Sequence, residues 1–353
     1  MLSFRPITSR ALARLRGRSL ADVAERTVEI AVATTWRVQP PVMLPDAVAR
    51  IRGHHVDSSP ERNMLHLNGP TLKQGPTRMH LVRDVLIADG AVLATGAYNR
   101  IGVGKPRLVL TGKPAPIDEA ALCSDYVTQR YFGHWLKDGL AHEQLASDRN
   151  LQPLVLDRPP WSHEAGYRDL VSLHPASVSY ARCDRLWLLD DHEFNRSFVE
   201  RYGRIRERLR VQVGAPAEPR ARIFMARGKS GIGRGLSNEM EVRAALEKRG
   251  FEVLEPEAMA ATDIARKLSD ARLVVSPEGS ALAHAAIAMP RGAGLLAIIG
   301  AQHFNLTYKA LSDVLGFRFG MAIADALDEQ QFSQPVEALL KTVDLLEAAI
   351  DRG

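Results

Sequence analysis

From residue 222 onward the chain repeats one pattern, a short apolar run followed by a stretch of helical spacing. RIFMA (222–226), FEVLEP (251–256), RLVVSP (272–277) and LLAIIG (295–300) alternate with helices expected near 238–249, 260–271, 280–288, 305–314 and 334–350. Apolar strands joined by helical crossovers of this length form parallel sheets covered by helices on both faces. That restricts this part of the chain to an α/β unit. Ligands of such sheets bind outside the carboxyl ends of the strands, so the loops after Ala226, Pro277 and Ile299 are expected to line one crevice.

The 353 residues exceed what one core usually holds, and two domains of about 150 residues each are expected. In the first part, HLVRDVLIADGAVLAT (80–95) sets Asp89-Gly90 between two apolar runs, a hairpin signal, and RLVLTG (107–112) reads as a further strand. Helical stretches near 125–146 and 162–172 precede the apolar runs PLVLD (153–157) and RLWLLD (185–190), and 191–210 reads as a long amphipathic helix. Residues 37–76 read as irregular. The Gly/Pro content of VGAPAEPRA suggests a linker at 213–221. The expected order is an N-terminal domain over 1–212, with a basic segment at 1–20 and a β-rich part at 77–112. The linker follows, then a C-terminal domain over 222–330 and a final helix in 331–353 that is free to pack back on the N-terminal domain.

Composition is that of a globular protein, 46% hydrophobic and 25% charged, with a mild formal charge of +5. The charge is uneven. Arg5, Arg10, Arg14, Arg16 and Arg18 occupy the first twenty residues without an acid, and 201–234 carries nine arginines and Lys229 against Glu207 and Glu218. Such clusters suit phosphate-bearing small molecules, anionic lipid or nucleic acid. Cys123 and Cys183 form no CxxC pair, which argues against a disulfide framework or structural zinc and for a reducing, cytoplasmic setting. No secretory signal pattern and no apolar run of about 18 residues is present.

Three stretches carry the candidate chemistry. In YFGHWLKDGLAHE (131–143), a helix stacks His134, Asp138 and His142 along one face at i, i+4 and i+8. They are candidate metal ligands, a catalytic acid or base with its orienting partner, or the wet edge of a core helix. In ARGKSGIGRGLSNEMEV (226–242), GKS lacks the upstream glycine of a P-loop, since position 223 is Ile223. What remains is a glycine-rich loop with Arg227, Lys229 and Arg234, suited to a diphosphate, and Ser237 or Asn238 to cap the next helix. Glu239 in its first turn is equally placed to bind a sugar hydroxyl or to complement the helix dipole. In VSPEGSALAHAAIAMP (275–290), Glu278, Gly279 and Ser280 form a small-residue turn that lets a ligand approach the backbone, while His284 reads as core edge.

These three stretches, in order and spacing, resemble family-61 glycosyltransferases. YFGHWLKDGLAHE resembles the family's NYGHWLxDxLP segment. RIFMAR followed by RGLSNE resembles its strand–Arg–loop–Arg–x–x–Asn–Glu element, and SPEGSALAHAAIAMP its GxHGAGLxN turn, with Glu278 in place of the family's His and His284 in place of its later Asn. The resemblance implies a GT-B-like α/β fold of two Rossmann-type domains facing a cleft. It implies inverting transfer of a hexosyl or pentosyl group from a nucleotide-sugar, UDP-linked by resemblance, to a glycan or lipid-linked acceptor of surface or capsular polysaccharide. No metal and no cofactor beyond that co-substrate are expected, and no Asp-x-Asp occurs, Asp190-Asp191 being nearest.

On this reading Asp138 is the first choice for the base and His134 its alternative or orienting partner, an order the sequence leaves open. Arg227, Lys229, Arg234, Asn238, Glu239, Glu278, Gly279 and Ser280 bind the donor. Trp135 packs in the core. The basic residues 1–20 suit peripheral contact with anionic membrane at its cytoplasmic face. Two competing classes are a metal-dependent hydrolase on His134, Asp138 and His142, and a basic nucleic-acid binder using 201–234. Neither is preferred: the first strains a straight helix, and the second lacks an interleaved aromatic platform.

Overall fold

The computed structural model describes residues 2–3, 8, 11–12, 18–56, 58–104, 110–228, 235–328 and 330–352. Most of the basic segment 1–20, and the loop 229–234 with Lys229 and Arg234, lie outside the described residues. The chain forms two compact units, each α/β: residues 1–34 with 75–205, and 35–74 with 206–353. Among the described residues no helix is long and apolar enough to cross a membrane.

The first unit is built on an eight-stranded sheet. Its strands are β1 (Arg26–Ala31), β2 (Thr77–Ala88), β3 (Ala91–Ala94), β4 (Ala97–Arg100), β5 (Ala115–Leu122), β6 (Gln152–Leu156), β7 (Ala176–Val178) and β8 (Tyr180–Asp190). The order is β7-β6-β5-β8-β2-β3-β4, with β1 also on β2. The pairs among β5, β6, β7 and β8 are parallel, and β8 joins β2 antiparallel. The hairpin expected at Asp89-Gly90 forms as β2–β3; both turn residues have positive φ, 48° and 77°, as a tight two-residue turn matched to strand twist requires.

The second unit's sheet has seven strands. They are β9 (Ala221–Met225), β10 (Gly235–Leu236), β11 (Glu252–Leu254), β12 (Ala271–Pro277), β13 (Gly294–Gly300), β14 (Arg318–Ala326) and β15 (Gln331–Ser333), in the order β10-β15-β14-β13-β12-β9-β11. The core strands β11-β9-β12-β13-β14 are parallel throughout, as the alternation predicts. The strand order reverses between β9 and β12. Such a reversal splits the flanking loops and opens a crevice at the carboxyl ends of these two strands.

Three features differ from the sequence expectation. The division falls at 205/206, inside the helix Arg196–Gln212, rather than at 213–221. Of residues 37–76, expected to be irregular, those up to 74 belong with 35–36 to the second unit and contain the helix Pro60–Asn68. Their backbone is satisfied there: Val42 exchanges hydrogen bonds with Phe319 and Met321 beside β14, and Arg52 N–H donates to the Ala301 carbonyl. The last helix, Val336–Asp351, also packs in the second unit. It lays Leu339, Val343 and Leu346 into the core with Leu296, Ile298 and Ala322, and each fully buried Val or Leu contributes about 1.5–3 kcal/mol there.

Candidate functional site

In the first unit, residues 132–148 form one helical rod with an interruption: Phe132–His134 and Leu140–Asp148 are α-helical, and Trp135–Gly139 between them is a π-type turn. A π turn holds one residue more than an α turn, so a face that is continuous by i+4 counting is broken across it, and such turns recur at functional sites. His134 and Asp138 stay together. His134 Nδ1 donates to Asp138 Oδ2 at 2.7 Å, and Lys137 Nζ donates to Asp138 Oδ1. His142 leaves that pair: its Nε2 donates to the Asp191 carbonyl at 3.1 Å, and its Nδ1 faces Asp125.

The Asp138 side chain is 6% exposed and that of His134 37%. Burial by itself would raise the Asp138 carboxyl, but the adjacent Lys137 ammonium and the His134 hydrogen bond hold it well below the usual carboxylate range. A carboxylate so stabilised and with both oxygens engaged is a poor proton acceptor and a good orienter. With Nδ1 committed to Asp138, Nε2 of the half-exposed His134 is the nitrogen left to accept a proton. Of the two candidates, His134 is the one with a ring nitrogen free of the pair's own hydrogen bond.

The neighbouring stripe of the rod, Trp135, Gly139 and Glu143, lines a cavity of about 340 Å³ together with Gln129, Arg158 and Arg168. Trp135 is buried, as expected, against Phe132 and Trp161, with ring centroids 5.8 and 5.7 Å away. Its indole N–H, the Gln129 Oε1 and the Glu143 Oε1 are buried polar atoms without a hydrogen-bond partner. Such groups are costly unless a ligand or water satisfies them. Burial pushes the Glu143 carboxyl up to about 7 against the opposing pull of Arg168, whose Nη1 lies 2.6 Å away. Sequence reasoning missed Glu143, Arg168 and Lys137. Arg168 is distant in the chain, and Lys137 adjoins Asp138, a spacing at which α-helical side chains do not face each other.

In the second unit the candidate residues gather at the reversal point. Arg227, just beyond β9, donates from Nη1 to the Glu278 carbonyl at 2.8 Å, just beyond β12. Asn305, after β13, reaches Glu278 Oε1 at 3.5 Å, so the loops after β9, β12 and β13 meet as the strand pattern predicts. Gly279 has φ of +153°, and a Cβ there would lie 3.4 Å from Arg227 Nη1; the turn is built for close approach to the backbone. Glu239 is half-buried, and burial raises its carboxyl although it accepts the backbone N–H of Arg227. Ser280 is exposed and His284 buried. Asn238 is committed elsewhere. Its Nδ2 donates to the Gln334 carbonyl at 2.9 Å and its Oδ1 accepts from Gln334 N–H at 3.0 Å, so it neither caps its helix nor presents an open amide.

Of the arginines that suggested a nucleic-acid surface, Arg201, Arg206 and Arg210 are engaged inside their units, while Arg204 and Arg220 are exposed and pair with Asp148 and Glu218. Arg201 pairs with buried Asp191, which also accepts from Thr77 at 2.5 Å, so Asp190-Asp191 supplies no open carboxylate at position 191. Arg206 donates to the Met289 carbonyl, and Arg210 to those of Ser269 and Ala288, where guanidinium groups satisfy helix C-termini.

The family model described as Glycosyltransferase 61 matches residues 132–296, which bears out the resemblance read from the sequence. The match contains the rod with His134 and Asp138, and the loops with Arg227 and Glu278. No curated protein matches the chain. Among solved structures, a mutant flavo di-iron protein from Thermotoga maritima aligns with 78% of this chain and 65% of its own length, at 12% identity and a TM-score of 0.28. At that score the likeness carries no argument about fold or activity.

Proposed function

With residues 132–296 matching the glycosyltransferase 61 family, we propose that this chain is an inverting glycosyltransferase acting from a nucleoside-diphosphate sugar, UDP-linked in keeping with the family resemblance. The observation that carries the reading is the 2.7 Å hydrogen bond between His134 and Asp138 inside the matched region. In the reaction, the acceptor oxygen forms a bond to the anomeric carbon as the carbon–phosphate-oxygen bond breaks. The hydroxyl proton passes to His134 Nε2, and the nucleoside diphosphate departs with its charge. Asp138 keeps the imidazole in the right tautomer and stabilises the imidazolium that forms, an arrangement used by other His–Asp pairs.

The departing diphosphate requires positive charge and N–H donors. Arg227 and the backbone around Gly279 serve that end, with Lys229 and Arg234 as further donor ligands on the loop outside the described residues. Glu278 and Ser280 accept from ribose or sugar hydroxyls, as does Glu239. The 340 Å³ cavity with its unpaired indole N–H and carbonyl and carboxyl oxygens suits a hydroxyl-rich group of the acceptor. A GT-B-like arrangement of the two units, a hexosyl or pentosyl donor, an acceptor in surface polysaccharide and work at the cytoplasmic membrane face belong to this proposal.

The test is a thermal-shift screen of nucleoside diphosphates and their sugars on the native chain and on Arg227→Ala. One nucleoside diphosphate is expected to raise the native Tm and to lose most of that effect in the variant. If none stabilises the native chain, the reading fails.

A further inference from the structure

His142, which the π turn separates from the His134–Asp138 pair, sits in a second constellation. Asp125 lies in the turn after β5, His142 in the rod and His192 just beyond β8, and their ligand atoms all fall within 4.8 Å of one another. Asp125 Oδ2 is 3.9 Å from His142 Nδ1 and 3.8 Å from His192 Nδ1. These distances are too long for hydrogen bonds.

The protonation chemistry of the group is one-sided. Because a carbonyl only accepts, the 3.1 Å contact to the Asp191 carbonyl puts a proton on His142 Nε2, and in the neutral ring Nδ1 then carries the lone pair. Asp125 Oδ1 is satisfied by Thr128 N–H at 2.8 Å, whereas Oδ2 is buried without a hydrogen-bond partner. An unpaired buried carboxylate oxygen thus faces the lone pair of a buried imidazole, 2% exposed, with a half-exposed imidazole alongside. Metal-binding histidines characteristically donate the other ring N–H to a carbonyl in just this way, which fixes the ring and sharpens its basicity.

We propose that Asp125, His142 and His192 bind one divalent first-row transition ion of the Zn²⁺ type. Two imidazoles and a carboxylate suit such ions, and three protein ligands leave a position for water. Ligands about 2.1 Å from a tetrahedral ion lie roughly 3.4 Å apart, so the two Asp125–imidazole edges close by about half an ångström and the His142–His192 edge by at most about 1.4 Å, motion that the exposed His192 side chain supplies. The ion ties the turn after β5 and the end of β8 to the rod two turns beyond His134. It therefore acts as a clamp on the element that carries the proposed base, separate from the transfer chemistry itself.

The experiment uses the untagged 353-residue chain, stripped with chelator and titrated with Co²⁺, then Zn²⁺. One equivalent of Co²⁺ is expected, with visible d–d absorption of a four- or five-coordinate N/O site, displaced by Zn²⁺. His192→Ala, an exposed change that leaves the core alone, and Asp125→Asn are each expected to weaken binding at least ~100-fold, because loss of even an outer-sphere partner costs 10–100-fold. Donor-nucleotide binding is read in the same samples and should persist in both variants. Failure of the native chain to take up Co²⁺, or binding by both variants as tight as the native, overturns the proposal.

Discussion

The two candidate regions are made in opposite ways. In the first unit the chemistry is a side-chain construction on one helix: His134 and Lys137 both donate to the buried Asp138 carboxylate at a π turn. In the second unit it is a backbone construction, in which a strand-order reversal, a glycine at φ of +153° and an arginine bonded to a carbonyl present polar groups at strand ends. The first kind of site depends on the identity and ionisation of individual groups, the second on chain path. Substitutions in the rod should therefore change the rate of transfer, and those at the strand ends the affinity for the donor.

The comparison is tested most severely at His134. His134→Ala is expected to lower kcat by ~10²–10⁴, the usual worth of a general base, while calorimetric affinity for the donor stays within about twofold. Equal losses in both quantities would erase the distinction between the regions. Asp138→Asn should be nearly as costly but in stability, about 3–5 kcal/mol in urea unfolding, because it strands the buried Lys137 ammonium. At the other region, Arg227→Ala should weaken donor binding about 10–100-fold, as expected for a charge-assisted contact of about 1.5–3 kcal/mol, and leave kcat at saturation little changed. A kcat-only effect would place Arg227 in the chemistry instead.

The smallest effect concerns pH. The folded state holds Glu143's proton to about 7, against an ordinary value of 4.5, so the folded chain binds more protons than the unfolded one between those values. Stability is then lost as pH rises from about 4.5 to about 7. In Glu143→Gln the urea midpoint should vary less between pH 5 and pH 8 than in the native chain, and Arg168 keeps Glu164 at 3.0 Å as partner. An unchanged slope would mean that Glu143 is not the group responsible.

Helix signals are present within 37–76, whose composition reads as irregular: Ser59 caps Pro60–Asn68 by accepting Arg62 N–H, with Pro60 at its first position and Glu61 following. The surrounding Gly, Pro and His content outweighed them. Strand β14, buried almost throughout, carries a weak strand signal, because Phe319, Met321 and Ile323 alternate with small Gly320, Ala322 and Ala324 rather than with polar residues. The site was partly legible. His134 and Asp138 are local in sequence, and their pairing survives the π turn. Arg227 and Glu278 sit at strand ends that the α/β alternation marks. Lys137, Arg168, Asp125 and His192 were not legible as partners, since nothing local says which side of the rod each faces.

Amino-acid order by itself determined the parallel α/β core of the second unit, the Asp89-Gly90 hairpin and the family to which residues 132–296 are matched. These follow from periodicity, turn chemistry and motif, all written within a few tens of residues. Tertiary structure alone decided that the Asp138 carboxyl is held ionised, that His142 joins Asp125 and His192, and that Arg201, Arg206 and Arg210 face a carboxylate and carbonyls. Charge state and ligand sets depend on burial and on neighbours many residues away, and a linear pattern carries no measure of either.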